Sequence, residues 1–371
     1  MNESKHGRNR RRWVPWAALL GGLLIGGGLG AGIVAATNSS NSTAAASTTP
    51  TSTSSGQVSA CDVTSVANRV IPSVVTISAR GSGGAGTGSG EVIKSDGYIV
   101  TNNHVIAIAA NGGSVEVQFS DGQTVPATIV GRDPQTDIAV LKIDSSRKLQ
   151  PIAIGSSSSV VVGQAAVVIG APLGLSGTVT SGIVSALDRT VQVPGENDTT
   201  ALLVSAIQTD ASINPGNSGG AMVNCSDQLI GIPTAGATVP SSSGESSGGS
   251  IGLGFAIPLD LAKTISDEII ATGSVTHAFF GLQTLPIPPV AAEQAGVPGG
   301  LYVRAVTPGG PAAQAGLQAE DVITHINGEP ATSNVQLQEL TLTKKPGDTV
   351  SLDYWRNGHT AKTSVTLGIQ P

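Results

Sequence analysis

The hydrophobic and polar positions of this chain fall into distinct regimes. Residues 13–36 (WVPWAALLGGLLIGGGLGAGIVAA) carry no charge. As a helix rising about 1.5 Å per residue they extend about 36 Å, enough to cross a bilayer core of about 30 Å with some tilt. Residues 37–60 are rich in Ser, Thr and Ala, with Val58 as their one large apolar side chain. Such a segment buries too little surface to fold and reads as a tether. From Asp62 to about Pro258 short Val/Ile/Thr runs are punctuated by Ser-Asp-Gly and Asn-Gly-Gly turns, an all-β pattern. Expected strands are 73–79, 90–93, 98–102, 115–119, 124–130 and 138–143, then 165–169, 177–187, 202–209, 220–224, 229–233 and 252–257. About six strands, a gap and about six more predict two barrels side by side. A helix follows, with Asp260 as its cap, Leu261, Ile265 and Ile269 on one face, and Gly273 at its end.

The remaining stretch forms a smaller α+β unit, with strands expected at 301–306, 321–326, 350–355 and 362–367 and helices at 312–316 and 334–343. The expected organisation is therefore a basic N-terminus (1–12), a membrane-spanning segment (13–36), a tether (37–60), a double-barrel domain (61–272) and a C-terminal domain (275–371).

Composition sharpens this picture. Charged residues are only 12% of the chain and the net charge is −6, which leaves no basic footprint for nucleic acid. The exception is the cluster Lys5, Arg8, Arg10, Arg11 and Arg12, which favours a cytoplasmic N-terminus and an extracytoplasmic remainder in a single-pass cell-membrane protein. A cleaved signal peptide is the competing reading, since Val34-Ala35-Ala36 offers small residues to a peptidase. With two cysteines and five scattered histidines there is no Cys/His cluster of metal-ligand spacing. No metal or organic cofactor is expected.

The segment Asn214-Pro215-Gly216-Asn217-Ser218-Gly219-Gly220 carries the strongest chemical signal. Glycines beside a serine let a substrate backbone approach, and adjacent N–H groups can converge on a developing oxyanion. Alone, it is equally a glycine-rich turn holding a spare serine. A nucleophilic serine needs a base, and the base an orienter. His104 follows an apolar strand and Asp137 precedes another; singly, each is more simply a structural residue. Together, His104, Asp137 and Ser218 stand in the chain order of a chymotrypsin-type triad, with the first two in one strand set and the serine in the other. Gly216-Asn217-Ser218-Gly219-Gly220 also fits the G-x-S-x-G elbow of an α/β-hydrolase esterase. That motif requires a helix after the serine, where Ala221-Met222-Val223-Asn224 reads as a strand.

These residues, with Gly254-Phe255-Ala256-Ile257-Pro258, resemble the HtrA/Deg family of serine proteases from about Val66 to the C-terminus. The resemblance implies a chymotrypsin-like double barrel followed by one PDZ domain, in which Phe280-Gly281-Leu282 matches the peptide-binding loop and Gly310-Pro311-Ala312-Ala313-Gln314-Ala315-Gly316-Leu317 a second PDZ motif. It implies His104 as general base, Asp137 as orienter, Ser218 as nucleophile, and the N–H groups of Gly216 and Ser218 as oxyanion hole. Ile213 and the segment Gly231–Ala235 should border the specificity pocket, where Ile213 and Ile232 would favour small aliphatic side chains. Leu282, Leu337 and Leu340 are candidates to line a groove for peptide C-termini, with core packing as the plain alternative for each. A homotrimer is expected by resemblance only.

Two features depart from the family pattern: Glu91, at a position usually apolar, and the insertion Pro240–Ser250 near the specificity loop. Cys61 and Cys225 suit an oxidising exterior, where a bridge would staple the domain entry to the second barrel; two free thiols are the alternative. The expected function is a membrane-anchored endopeptidase acting on unfolded or damaged polypeptides. A non-catalytic PDZ scaffold or chaperone is the rival, although a scaffold has no use for all three triad residues.

Overall fold

The computed structural model describes residues 61–144, 148–171, 177–194, 200–236 and 250–371. The expected membrane segment and tether, and all of the Pro240–Ser250 insertion except Ser250, lie outside the described residues. Among the described residues no helix is long and apolar enough to cross a membrane.

The first barrel comprises β1 (Val74–Gly81), β2 (Gly84–Val92), β3 (Tyr98–Thr101), β4 (Ser114–Gln118), β5 (Thr124–Asp133) and β6 (Ile138–Ile143), closed in the order β1-β2-β3-β6-β5-β4. Strand β6 explains why its sequence is apolar throughout. Ala139, Leu141 and Ile143 fill the barrel with Ile77 and Ile99, while Ile138 and Val140 face outward into a second apolar cluster with Leu203, Ile232 and Ile257. Both faces are buried, so alternation disappears.

The second barrel comprises β7 (Ala153–Ile154), β8 (Ala165–Gly170), β9 (Thr178–Pro194), β10 (Thr200–Thr209), β11 (Ala221–Val223), β12 (Gln228–Gly236) and β13 (Gly254–Pro258). Pairing of β11 with β12 closes the order β11-β8-β9-β10-β13-β12, and β7 adds a seventh strand parallel to β12. Its interior holds Val168, Ile207, Ile213, Met222 and Ile230. Two expected strands are longer than anticipated. The glycine run at 84–88 reads as loop but pairs with β1, and β9 continues past Leu187 to Pro194 as one arm of a hairpin with β10.

The entry is not β. Helix α1 (Val63–Val70) is capped by Asp62, whose carboxylate accepts from Ser65 N at 3.1 Å. It buries Val66 and Val70 against Ile152, Val167 and Val223. A disulfide joins Cys61 to Cys225, and the Arg69–Asp227 ion pair adds a second fastening to the same turn. A short helix, α2 (Asn103–Ile106), follows β3, and α3 (Leu259–Thr272) closes the double barrel. In α3 Pro258 occupies the cap and Asp260 sits in the first turn, a correction to its expected capping role. Its carboxylate instead accepts from Ser156 Oγ and Ser158 N, both at 3.0 Å.

The C-terminal domain contains β14 (Ala278–Phe279), β15 (Leu282–Pro286), α4 (Pro289–Ala295), β16 (Leu301–Val306), α5 (Pro311–Gln314), β17 (Val322–Ile326), β18 (Glu329–Pro330), α6 (Asn334–Thr343), β19 (Thr349–Arg356), β20 (His359–Thr366) and β21 (Gly368–Ile369). The main sheet runs β15-β16-β17-β19-β20, with β15 at an edge, and β14 pairs with β21. Strand β15 and helix α4 have no clear sequence signal, because prolines at 286, 288 and 289 break the pattern there. The domain packs on the second barrel through Leu342, which joins Leu202 and Val204 of β10, with Leu261 and Val335 partly buried against them.

Glu91 is fully buried, and neither of its carboxyl oxygens finds a partner elsewhere among the described residues. A Cβ on Gly90 would strike Ile77 and Ile99, so Gly90 faces into the first barrel. By strand alternation Ser89 and Glu91 face out toward the second barrel. Burial pushes the Glu91 carboxyl well above its ordinary 4.5.

These contacts can be tested by stability measurements. Replacing both cysteines by serine should lower stability by about 2–4 kcal/mol, measured by urea unfolding against the oxidised chain. For Glu91, the folded state holds its proton above pH 4.5 while the unfolded state releases it, so stability falls as pH rises from there. The stability gain of Glu91→Val should therefore widen as pH rises above about 4.5, by up to about 1.4 kcal/mol per pH unit until the folded carboxyl ionises. A gap independent of pH would contradict the account of Glu91.

Candidate active site

His104 enters on α2, directly after β3, and Asp137 ends the tight turn between β5 and β6. Strands β3 and β6 are neighbours, with Thr101 opposite Ala139, which brings the two residues together at the same barrel end. Asp137 has φ +59°, a left-handed conformation that costs a non-glycine residue energy and must be held by its surroundings. Its carbonyl accepts from Asn103 N at 3.1 Å and Asn102 Nδ2 at 2.9 Å. Its carboxylate accepts from His104 N at 3.0 Å and lies 2.9 and 3.0 Å from His104 Nδ1. Thr234 Oγ1, from the second barrel, donates to the same carboxylate at 2.5 Å.

This environment sets the imidazole. The His104 side chain is 44% exposed while the Asp137 side chain is 6% exposed. Burial would lower the His104 pKa, but the hydrogen bond and charge of Asp137 outweigh it, and the net shift is upward from 6.5. With Nδ1–H donated to Asp137, Nε2 is the nitrogen left to accept a proton.

Ser218 lies on the loop before β11. Asn217 N donates to Asn214 O at 2.9 Å, with Pro215 second in the turn and Gly216 third at φ +101°, a type II arrangement. The first barrel grips this loop through Ser89: its Oγ donates to Gly216 O at 2.7 Å, and its N–H donates to Ser218 O at 2.9 Å. Gly219 tolerates no side chain, since a Cβ there would lie 2.3 Å from Ser89 O. The N–H groups of Asn217, Gly219 and Gly220 all donate to backbone carbonyls. Those of Gly216 and Ser218 have no acceptor among the described residues, so two N–H groups flanking the serine stay free.

Ser218 Oγ donates to Thr234 O at 3.1 Å, and no hydrogen bond joins it to His104 among the described residues. Thr234 thus touches both ends of the site, binding the serine through its carbonyl and the aspartate through its hydroxyl. Neither Thr234 nor Ser89 stands out in the sequence; a threonine in β12 and a serine between glycines carry no motif of their own.

The other expected site residues divide. Ile213 is packed inside the second barrel with Ile207, Met222 and Ile230, whereas Ile232 is 1% exposed in the cluster with Val100, Ile138 and Val140. The two isoleucines thus lie in different apolar clusters, Ile213 within the second barrel and Ile232 where the barrels meet. In the C-terminal domain Phe280 and Leu337 belong to the core, which leaves Leu282 and Leu340, only partly buried, nearer its surface. For Leu337 this is the core packing weighed as the alternative to groove lining, and Phe280 of the Phe280-Gly281-Leu282 motif is buried beside it. Gly281, at φ +74°, makes the bend before edge strand β15. On that strand Thr284 O accepts from Asn334 Nδ2 at 2.9 Å, across to α6. The esterase alternative fails here, since strand β11, and no helix, follows Ser218.

Comparison with known proteins agrees with this geometry. The profile of the trypsin-like peptidase domain matches residues 88–232, and that of the PDZ domain matches 279–367. The chain is 44% identical over 313 residues to serine protease PepD of Mycobacterium tuberculosis, covering 82% of this chain and 66% of that protein. It is 42% identical over 286 residues to the periplasmic pH-dependent serine endoprotease DegQ of Escherichia coli, covering 76% of this chain and 59% of DegQ. It therefore spans only part of the length of these relatives. Among solved structures, the HtrA-type protease AlgW with decapeptide is similar at a TM-score of 0.66 and 32% identity, covering 83% of this chain and 99% of AlgW. Sequence, fold and comparison converge: this chain belongs to the HtrA-type serine protease family, with a trypsin-like domain and a C-terminal PDZ domain.

Proposed function

We propose that this chain is a serine endopeptidase that hydrolyses peptide bonds in unfolded or damaged polypeptides outside the cytoplasm, anchored by residues 13–36. Ser218 is the nucleophile, His104 the general base and Asp137 its orienter. The observation that carries this reading is the unbroken series Ser218–Thr234–Asp137–His104, joined by hydrogen bonds across the two barrels.

In the reaction, Ser218 Oγ leaves the Thr234 carbonyl by rotating about its Cα–Cβ bond and turns to His104 Nε2. The imidazole takes the hydroxyl proton as Oγ bonds to the scissile carbonyl carbon, and the developing oxyanion accepts from Gly216 N–H and Ser218 N–H. Protonated His104, stabilised by Asp137, then gives the proton to the leaving amine as the C–N bond breaks. Water repeats the sequence on the acyl-enzyme: His104 deprotonates it, and Ser218 Oγ departs with that proton. The free N–H pair supports the oxyanion assignment, because each such donor contributes roughly 10²–10³ in rate.

The PDZ domain is read as a binder of polypeptide C-termini by strand addition at the free edge of β15, where a peptide would compete with Asn334 for the Thr284 carbonyl. The packing of Leu342 and Val335 on β10 supports a route by which occupancy is felt in the second barrel.

Ser218→Ala should abolish casein degradation; degradation at the parental rate would refute the assignment. Because His104 must be neutral to act as base and its ionisation is raised above 6.5, kcat/KM should climb with pH through a midpoint above that value. Asp137→Asn should cut kcat on the order of 10⁴-fold and shift the midpoint downward, read from pH–rate profiles on a labelled unfolded substrate.

A further inference from the structure

His277 lies in the connector between α3 and β14, and its side chain is 7% exposed. Its Nε2 is 2.9 Å from Asp133 Oδ2, in a carboxylate that is 4% exposed. Asp133 ends β5 and opens the turn that finishes at Asp137. Gln135 N donates to its Oδ1 at 3.1 Å, and Thr136 Oγ1 to its Oδ2 at 2.5 Å, so the carboxylate organises the turn from within. The C-terminal strand end holds the same turn from outside: Gln135 Nε2 donates to Gln370 Oε1 at 3.0 Å, and Gln370 N donates to His277 O at 3.1 Å.

We propose that His277 is a positioning residue for the hydrolytic reaction. By fixing Asp133 it fixes the turn that holds Asp137 at φ +59°, and so sets the carboxylate against His104 Nδ1. The connector and the last strand of the PDZ domain thereby take part in aligning the base, a role separate from the contact of α6 with β10. Without the His277 contact, Asp133 is left with only the bonds of its own turn, and the strained Asp137 backbone has less to oppose its relaxation. A displaced Asp137 stabilises the imidazolium less and slows the chemical step without altering substrate contacts. The inference rests on the Ser218/His104/Asp137 reading, but it can fail while that reading stands.

The test uses the full chain carrying His277→Phe, which keeps the ring volume and removes the hydrogen bond, and His277→Gln, whose Nε2 can still donate to Asp133. Two readouts are taken on protein whose folding is checked by circular dichroism. One is kcat and KM on a labelled unfolded substrate; the other is the pH dependence of Ser218 sulfonylation by phenylmethylsulfonyl fluoride, which reports His104 ionisation without a substrate. His277→Phe should lower kcat about tenfold at unchanged KM and move the labelling midpoint to lower pH, while His277→Gln stays close to the parent. Unchanged kcat and midpoint in His277→Phe, or a loss in His277→Gln equal to that in His277→Phe, would overturn the proposal. Should His277→Phe not fold, Asp133→Ser breaks the contact from the other side and keeps a hydroxyl for the turn; it must then show the same fall and shift, and parental values would overturn the proposal. If Ser218→Ala remains proteolytic, the underlying assignment fails instead.

Discussion

A single buried carboxylate holds the site together. Asp137 is nearly inaccessible, and an ion in that position is tolerable only with its hydrogen bonds made. It receives His104 N, His104 Nδ1 and Thr234 Oγ1, so that both barrels contribute donors. The charge therefore orients the imidazole and ties the barrels together at the point where they meet. Ser89 makes the reciprocal tie, reaching from the first barrel to Gly216 O and Ser218 O in the second. With these two links the cleft is a joint with fixed geometry, and the apolar packing of Ile138 and Val140 against Ile232 and Ile257 provides the surrounding support.

Much of this is legible in the chain because the responsible residues carry local signals. The order of His104, Asp137 and Ser218, their placement beside apolar strands and the glycines around the serine mark the candidate triad, and the two sets of strands the double barrel. Turn residues also locate most strands. What stays hidden depends on tertiary contact. Thr234 and Ser89 matter through what they touch, and a Thr or Ser in a strand has no distinguishing pattern. For Ile232 the chain alone cannot separate a pocket role from packing, because an apolar position on a strand beside a cleft reads the same in both cases. Helix α1 does carry a signal, Val63, Val66, Ala67 and Val70 recurring at helical spacing behind Asp62, but eight residues at the head of a strand-rich stretch are easily read as part of the β pattern. In the PDZ domain the chain alone leaves groove lining and core packing open for Leu282, Leu337 and Leu340, and burial separates Leu337 from the other two.

The domains meet at two places that differ in burial. Helix α6 meets β10 through the apolar packing of Leu342 on Leu202 and Val204, and β9 through Thr190 Oγ1, which donates to Glu339 Oε2 at 3.5 Å. The connector meets the first barrel through His277 and Asp133, a directional bond in a buried setting. Glu91, buried with no partner from another of the described residues, sets a further constraint, since burial favours its protonated form.

The most direct test of the central claim is covalent. After exposure of the full chain to diisopropyl fluorophosphate at about pH 8, peptide mass spectrometry should find the phosphoryl group on Ser218, and His104→Ala should suppress that labelling. Modification at another serine, or labelling of Ser218 at an undiminished rate without the imidazole, would contradict a nucleophile activated by His104 under the control of Asp137.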